Sequence, residues 1–164
     1  MEDKTPTTDP TSLDFTLEQI ASLLLVGHTY YQNGKYNDAR AIFEGLQVMD
    51  PSNPYPSAIL GSMLQQEGKC EEAIAAFTTA LQLYPEDIHT LTNRGECYLN
   101  LGKFPEAAAD LNKAITLDPD SKNPAANRAR LLAALTLEGL KLASEKGIAA
   151  VQDAKRRIDE QLAL

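Results

Sequence analysis

The chain has no tryptophan, two cysteines and few aromatic residues, which make up 6% of its 164 residues. So little aromatic bulk favours small side chains packed between helices over a large aromatic core. Cys70 and Cys97 lack the spacing of metal ligands, and we interpret them as reduced packing residues of a reducing compartment. The composition therefore predicts neither a disulfide framework nor a metal site.

Positive charge is scarce as well. Lys and Arg total 15 against 23 Asp and Glu, a net charge of -8. This balance argues against nucleic-acid partners, which attract clusters of basic side chains. No apolar run reaches the roughly 18 residues of a membrane-spanning helix, and no basic stretch followed by an apolar core opens the chain. We expect a soluble, cytoplasmic protein without stable membrane insertion.

Sequence motifs of catalysis are missing too. The chain contains no HExxH, GxSxG, phosphate-loop or dinucleotide-glycine pattern. Its two histidines, His28 and His89, are better interpreted as polar residues lining a groove than as a catalytic pair. We therefore predict no enzyme activity, no catalytic residue and no cofactor.

Glycine–lysine pairs recur every 34 residues, at Gly34-Lys35, Gly68-Lys69 and Gly102-Lys103. Each glycine suits the left-handed backbone that ends a helix. Four further positions recur on the same spacing. They are a glycine (Gly27, Gly61 and Gly95), an alanine (Ala39, Ala73 and Ala107), a bulky apolar residue (Phe43, Phe77 and Leu111) and a proline (Pro51, Pro85 and Pro119). A period of 34 residues with these positions in this order resembles the tetratricopeptide repeat. The tryptophan of that signature is replaced by Leu23, Ser57 and Leu91.

This resemblance implies an all-α fold, a solenoid of three helical hairpins with one or more capping helices at the carboxy terminus. We expect a flexible tail over residues 1–14 and a repeat domain over 15–143. An amphipathic helix should follow over 144–164. Within the domain the repeats span about 20–53, 54–87 and 88–121, and the capping helix covers 124–143.

Local signals refine the helix ends. Thr16 and Gln19 have the spacing of a capping box, which predicts the start of the first helix. Asn37 is a candidate cap for the second helix. Three prolines lie between Asp50 and Pro56 and predict a stiff link, with the third helix beginning near Pro56.

In tetratricopeptide proteins the first helices of the hairpins line a concave groove, and binding residues lie there. The inward positions of this chain are Leu24, His28, Tyr31, Tyr55, Ala58, Ile59, Ser62, Gln65, His89, Thr92, Asn93, Glu96 and Leu99. Some of them should be packing residues. A carboxylate clamp needs cationic donors at fixed points, and no lysine or arginine stands at the corresponding places. The groove is therefore expected to be apolar, with scattered amide and hydroxyl groups, and to suit an extended apolar peptide.

Three short runs strengthen a narrower resemblance. Leu17-Glu18-Gln19, the stretch from Tyr31 to Ala39 and the stretch from Gly95 to Leu99 are similar to the class II translocator chaperones of bacterial type III secretion. That family implies a cytoplasmic role in virulence, holding apolar segments of hydrophobic translocators soluble before export. The anchors would be Leu24, Tyr31, Tyr55 and Ile59. A general tetratricopeptide scaffold in another assembly is the alternative, and homodimerisation stays open.

Overall fold

The computed structural model describes residues 15–147 together with residues 153 and 156. Residues 15–147 form helices joined by short turns and contain no strand, which confirms the all-α fold class. The helices are α1 (Leu17–Gln32), α2 (Tyr36–Met49), α3 (Pro54–Gln66), α4 (Cys70–Leu83), α5 (Ile88–Asn100), α6 (Phe104–Thr116) and α7 (Pro124–Lys146). They fall into two compact units, Met1–Pro51 and Ser52–Leu164.

The amino-terminal unit is the helical hairpin α1–α2. Its first helix begins with the predicted capping box, in which the Gln19 N–H donates to Thr16 Oγ1 at 3.2 Å and the Thr16 N–H donates to Gln19 Oε1 at 2.8 Å. The two helices meet closely because Gly27 has no side chain. A Cβ there would lie 3.0 Å from Ile42 and 3.1 Å from Phe43, and Phe43 is fully buried.

The glycine of each glycine–lysine pair ends the first helix of a hairpin, as predicted. Gly34, Gly68 and Gly102 have φ of 74°, 76° and 71°. In each repeat the N–H of the following lysine donates at 2.9 Å to a carbonyl in the last turn of that helix. Asn37 does not cap α2, and that prediction is wrong. The helix already begins at Tyr36, so the residue before it, Lys35, occupies the cap position without a side-chain hydrogen bond.

The carboxy-terminal unit contains α3–α7. Its first helix begins at Pro54, two residues earlier than predicted, because Asn53 Oδ1 accepts the Tyr55 N–H at 3.0 Å. Two of the three prolines thus belong to the first turn of α3, where proline is tolerated. The core consists of two clusters, one around Cys70, Ala73, Phe77 and Cys97 and one around Leu81, Leu91, Ala107, Leu111, Ala114 and Ala129.

The two cysteines are distant in sequence and lie in the same core cluster. Both are buried free thiols. Burial, followed by the neighbouring Cys70 thiol, raises the pKa of Cys97 to about 12. The Cys97 thiol is therefore neutral and unreactive at ordinary pH, as expected of a packing residue.

The last described helix, α7, extends to Lys146, three residues beyond the predicted end of the capping helix. Gly139 allows it to approach Phe104, since a Cβ at that position would lie 2.5 Å from Phe104 Cε1. The helix ends where Gly147 adopts a φ of 82°. The predicted tail over residues 1–14 lies outside the described residues. So does the predicted amphipathic helix, apart from the end of α7, Gly147, Asp153 and Arg156.

Candidate peptide-binding site

In the amino-terminal unit the predicted groove residues Leu24, His28 and Tyr31 are half-buried on one face of α1. The spacing of four and three residues brings them onto that common face. The His28 ring lies 2.9 Å from the Gln32 amide nitrogen. The Tyr31 ring meets Tyr36 edge to face, with centroids 5.7 Å apart. Both polar groups are thus oriented by neighbours within the same hairpin.

In the carboxy-terminal unit four predicted groove residues form two hydrogen-bonded pairs across α3 and α5. Asn93 Nδ2 donates to Ser62 Oγ at 3.3 Å, and Gln65 Nε2 donates to Glu96 Oε2 at 2.6 Å. All four side chains are half-buried. The 31-residue separation of each pair is three residues short of the 34-residue repeat, so each α3 side chain meets an α5 side chain about one helical turn before its equivalent position.

A fifth residue, Arg128 on α7, joins the two pairs and was missed by the sequence analysis. Its Nη2 donates to Asn93 Oδ1 at 2.9 Å and to Glu96 Oε2 at 2.5 Å. We call Ser62, Gln65, Asn93, Glu96 and Arg128 the polar ladder. The expectation of a groove without a fixed cation is wrong for this face, because α7 supplies one.

The sequence did contain a signal for Arg128. The first residues of α5 and α7, Ile88 and Pro124, lie 36 residues apart, two more than the repeat of 34, so counting by 34 places Arg128 out of register. If the helices are aligned at their first residues, Pro54, Ile88 and Pro124, Arg128 becomes the fifth residue of its helix. That position is equivalent to Thr92 on α5 and Ala58 on α3, two of the predicted groove residues.

Electrostatics distinguish the polar ladder from a carboxylate clamp. The Arg128 guanidinium is paired with Glu96, whose side chain is 29% exposed. A free peptide carboxylate would have to displace that acidic group, which lies within 2.5 Å of the arginine. The balanced pair instead offers donors and acceptors of both kinds, which matches the alternating N–H and C=O groups of a peptide backbone.

Two predicted groove residues contribute to packing. Thr92 is fully buried, and its hydroxyl donates to the carbonyls of Ile88 at 2.8 Å and Ala125 at 3.3 Å. It thereby joins α5 to α7. Leu99 packs against the second core cluster. Thr92 is therefore a packing residue and does not line the groove. Leu99 stays half-buried, and its place in the groove remains a prediction. His89 is exposed.

A small apolar cavity of about 230 Å³ lies beside Tyr55 in the same unit. It is lined by Pro54, Tyr55, Ala58, Ala80, Tyr84, Asp87 and Thr90. Partial burial raises the pKa of Tyr55, so its hydroxyl stays neutral at physiological pH. Ile59, next to Ala58 on α3, is half-buried. The cavity has room for one apolar side chain of modest size.

Asp118 fixes the start of α7 and therefore the position of Arg128. Its carboxylate accepts the N–H groups of Lys122 and Asn123, each at 3.1 Å, and lies 3.5 Å from Arg130 Nη1. Burial alone would raise the pKa of Asp118, but the two N–H groups and the Arg130 guanidinium outweigh it. The pKa lies below its ordinary value of 3.8.

This depressed pKa predicts how stability depends on pH. Since the folded pKa is lower than the unfolded one, the carboxylate stabilises the native state above the unfolded pKa, and the contribution is lost as pH falls through the folded value. Asp118→Asn should lower the melting temperature at pH 7, and the difference from wild type should shrink toward about pH 2. Thermal melts followed by circular dichroism across this range measure the difference.

Asp120→Asn is the control, because Asp120 pairs with Lys122 at the exposed surface. A pH-independent difference for Asp118→Asn would contradict the assignment.

The repeat, the hairpins and the glycine breaks define the class of protein. Family models described as tetratricopeptide repeat match residues 24–88 and 60–135. The chain belongs to the tetratricopeptide repeat proteins. No curated protein sequence matches it.

Solved structures with a similar fold include two of translocator chaperones. SycD of Yersinia enterocolitica, a type III secretion chaperone in complex with a peptide of the translocator YopD, is 25% identical, with a TM-score of 0.66 over 79% of this chain and 97% of that one. PcrH in complex with the chaperone binding region of PopD is 23% identical, with a TM-score of 0.68 over 76% and 95%. The first tetratricopeptide domain of Spaghetti (RPAP3), bound to the HSP90 peptide SRMEEVD, is 21% identical, with a TM-score of 0.70 over 79% and 99%.

Within the part of the chain that the structure describes, no helix combines the length and apolar character needed to cross a bilayer. The same residues contain no group of three or more His, Cys, Asp or Glu side chains arranged to hold a metal ion.

Proposed function

We propose that this protein is a cytoplasmic type III secretion chaperone that binds extended apolar segments of translocator proteins and keeps them soluble before export. The observation that carries the proposal is the fold shared with SycD in complex with a YopD peptide, at 25% identity over 97% of the SycD chain. The polar ladder and the cavity beside Tyr55 support it, since they offer the two kinds of contact that an extended segment needs.

Such a segment presents both polar backbone groups and apolar side chains. Its backbone presents unpaired N–H and C=O groups, and each costs free energy if it is buried without a partner. The ladder supplies acceptors at Glu96 and donors at Gln65 and Arg128. Apolar side chains of the client are buried in the cavity beside Tyr55 and against Ile59. Because this apolar surface is removed from water, the client does not self-associate through it.

The expected binding free energy is consistent with reversible binding of the client. Burial of two or three side chains contributes roughly 1.5–3 kcal/mol each before ordering costs are subtracted. The resulting affinity is moderate, so the client can be released to the export machinery without nucleotide hydrolysis. Tyr55, which is 38% exposed, and the half-buried Ile59 are the anchors in the carboxy-terminal unit, and we assign Leu24 and Tyr31 the same role in the amino-terminal unit.

The test is co-expression with a hydrophobic type III translocator from the same organism, followed by measurement of affinity for the purified client segment. We expect the wild-type chain to keep the translocator soluble. Tyr55→Ser/Ile59→Ser should weaken binding by about 100-fold, because two anchors lose most of their apolar burial. Circular dichroism of the variant establishes that it is folded.

Val48→Ser is the matched control. Val48 is an apolar residue on a second helix and is 81% exposed, so its loss should leave affinity unchanged. Equal solubility of the translocator with the wild-type chain and with the anchor variant would disprove the assigned contacts. A translocator that never associates with the wild-type chain would disprove the chaperone function itself.

A general peptide-binding scaffold is the second candidate. The similar fold of the Spaghetti domain with its HSP90 peptide favours it, since that domain binds a peptide of a protein that is not a translocator. The pairing of Arg128 with Glu96 argues against an acidic carboxy-terminal peptide as the ligand. Purification of a stable multi-subunit complex that contains no secretion substrate would support the scaffold.

A further inference from the structure

Three leucines on α7 have largely exposed side chains. Leu131 is 71% exposed, Leu135 is 60% exposed and Leu137 is 55% exposed. Because an α-helix turns by about 100° per residue, Leu131 and Leu135 lie on one side of α7, and Leu137 lies on the opposite side from Leu135. Arg128 precedes Leu131 by three residues and Leu135 by seven, a spacing that places all three on the same side. Two exposed leucines therefore continue the line of the polar ladder along α7.

The repeat register places Leu135 at a groove position. It is the twelfth residue of α7, and the twelfth residues of α3 and α5 are Gln65 and Leu99, two of the predicted groove residues. Gln65 belongs to the polar ladder, where its amide donates to Glu96. Gln65 and Leu99 are half-buried, whereas Leu135 is exposed. This position thus changes from polar on α3 to apolar on α5 and α7, and α7 presents the apolar side chain to solvent.

We propose that the client-binding surface continues past Arg128 onto α7, where Leu131 and Leu135 bind a second apolar part of the same client segment. This inference rests on the proposed chaperone function and describes the client more narrowly, as a segment with apolar side chains on both sides of the backbone bound at the polar ladder. Leu131 and Leu135 lie about 4.5 and 10.5 Å along α7 from Arg128. An extended segment advances about 3.3 Å per residue, so about three residues beyond the arginine reach both leucines.

Charge and position favour the client over a second copy of the chain as the occupant of Leu131 and Leu135. The net charge of -8 opposes self-association, since two copies of the chain repel each other. A client bound at the polar ladder already lies next to the leucines, so its apolar side chains reach them without a separate association step. Single exposed leucines are common on protein surfaces, but two adjacent ones beside a peptide-binding surface add apolar area that a bound segment removes from water. A second copy is the alternative that the experiment distinguishes.

Cysteine labelling of the full-length chain tests this surface. Leu135→Cys should react rapidly with N-ethylmaleimide in the free chain because this position is exposed, and the native cysteines should not react because both are buried. The purified translocator segment, at about ten times its Kd, should slow the labelling of Leu135→Cys by about 10-fold. The matched control Leu137→Cys, on the other side of α7, should react at the same rate with and without the segment. Mass spectrometry measures both rates.

Three results of the labelling experiment would overturn the inference. Unchanged labelling of Leu135→Cys at a saturating concentration of the segment would show that the client does not reach this part of α7. Slow labelling of Leu135→Cys in the free chain would show that the position is already covered, and a rate that falls as the chain concentration rises would assign the cover to a second copy. Equal protection of Leu135→Cys and Leu137→Cys would indicate a general change in the chain and no specific contact.

Affinity for the segment provides a second readout. Leu131→Ser/Leu135→Ser should weaken binding by about 10-fold, since two apolar contacts are lost, and Leu137→Ser should leave binding unchanged. Circular dichroism checks that both variants are folded. If the Tyr55→Ser/Ile59→Ser variant binds more weakly and the double leucine variant does not, the inference fails and the chaperone function stands. If the wild-type chain binds no translocator segment, the chaperone function fails and the inference fails with it.

Discussion

Asp110→Ala should lower the free energy of unfolding by about 3 kcal/mol, because it leaves a charged arginine unpaired in a poorly solvated place. Arg94 Nε and Nη2 donate to the two Asp110 carboxylate oxygens at 2.7 and 2.8 Å, and Nη1 donates to Thr78 Oγ1 at 3.0 Å. The side chains of Arg94 and Asp110 are only 18% and 10% exposed. This bidentate pair joins α5 to α6.

The pKa of Arg94 agrees with this geometry. The hydrogen bond to Asp110 raises it above the ordinary value although burial opposes the shift. An arginine side chain is effectively always protonated in proteins, so the guanidinium stays charged after its partner is removed and the variant keeps the full desolvation cost. Urea unfolding followed by circular dichroism gives the free energy difference.

The control removes both charges. Arg94→Met/Asp110→Leu should cost far less than Asp110→Ala, since an apolar pair of similar volume needs no counter-charge. If the single and double variants are equally destabilised, the loss comes from packing and the electrostatic argument is wrong.

Phe77→Ala should cost about 3–5 kcal/mol, because the ring is fully buried in the first core cluster and its removal leaves a cavity. The Phe77 ring also restricts which side chains position 61 can accommodate. A Cβ at Gly61 would lie 2.6 Å from the ring. Gly61→Ala should therefore destabilise the native chain by about 1–2 kcal/mol, even though alanine is the better helix former.

The sign of the alanine effect should reverse once the ring is gone. In the Phe77→Ala background Gly61→Ala meets no ring, so it should stabilise by about 0.5–1 kcal/mol. Gly45→Ala is the matched control, because nothing lies within 4 Å of a Cβ there, and it should stabilise both backgrounds. Chemical denaturation of the four combinations measures the coupling. A destabilising Gly61→Ala in both backgrounds would show that Phe77 is not the cause.

Features set by interactions between neighbouring residues were predicted correctly more often than features set by contacts between residues distant in sequence. Glycine breaks, proline limits and the Thr16 capping box are set by a few neighbouring residues, so the hairpins could be predicted. The cap at Asn37 failed because the glycine–lysine turn already begins the next helix at Tyr36. No local sequence pattern indicates that Cys70 and Cys97 lie in one core cluster, since their proximity depends on how α4 and α5 pack.

The candidate site shows the same division. Ser62, Gln65, Asn93 and Glu96 were predicted to line the groove from the repeat register, and in the structure they share one face of the carboxy-terminal unit. Arg128 was missed because two extra residues before α7 shift the register. Thr92 was placed in the groove, but the packing of α5 against α7 buries it. Binding by the predicted residues remains a prediction that the anchor variants test.

The sequence by itself determined the tetratricopeptide class and the order of its helices, because a period of 34 residues fixes where each helix can pack and where it must end. Only the tertiary structure decided the chemistry of the α3–α5–α7 face. A cation on α7 reaches Asn93 and Glu96 through space, and a contact between side chains 32 to 35 residues apart depends on the stacking of whole helices. The local sequence around either partner does not encode that approach.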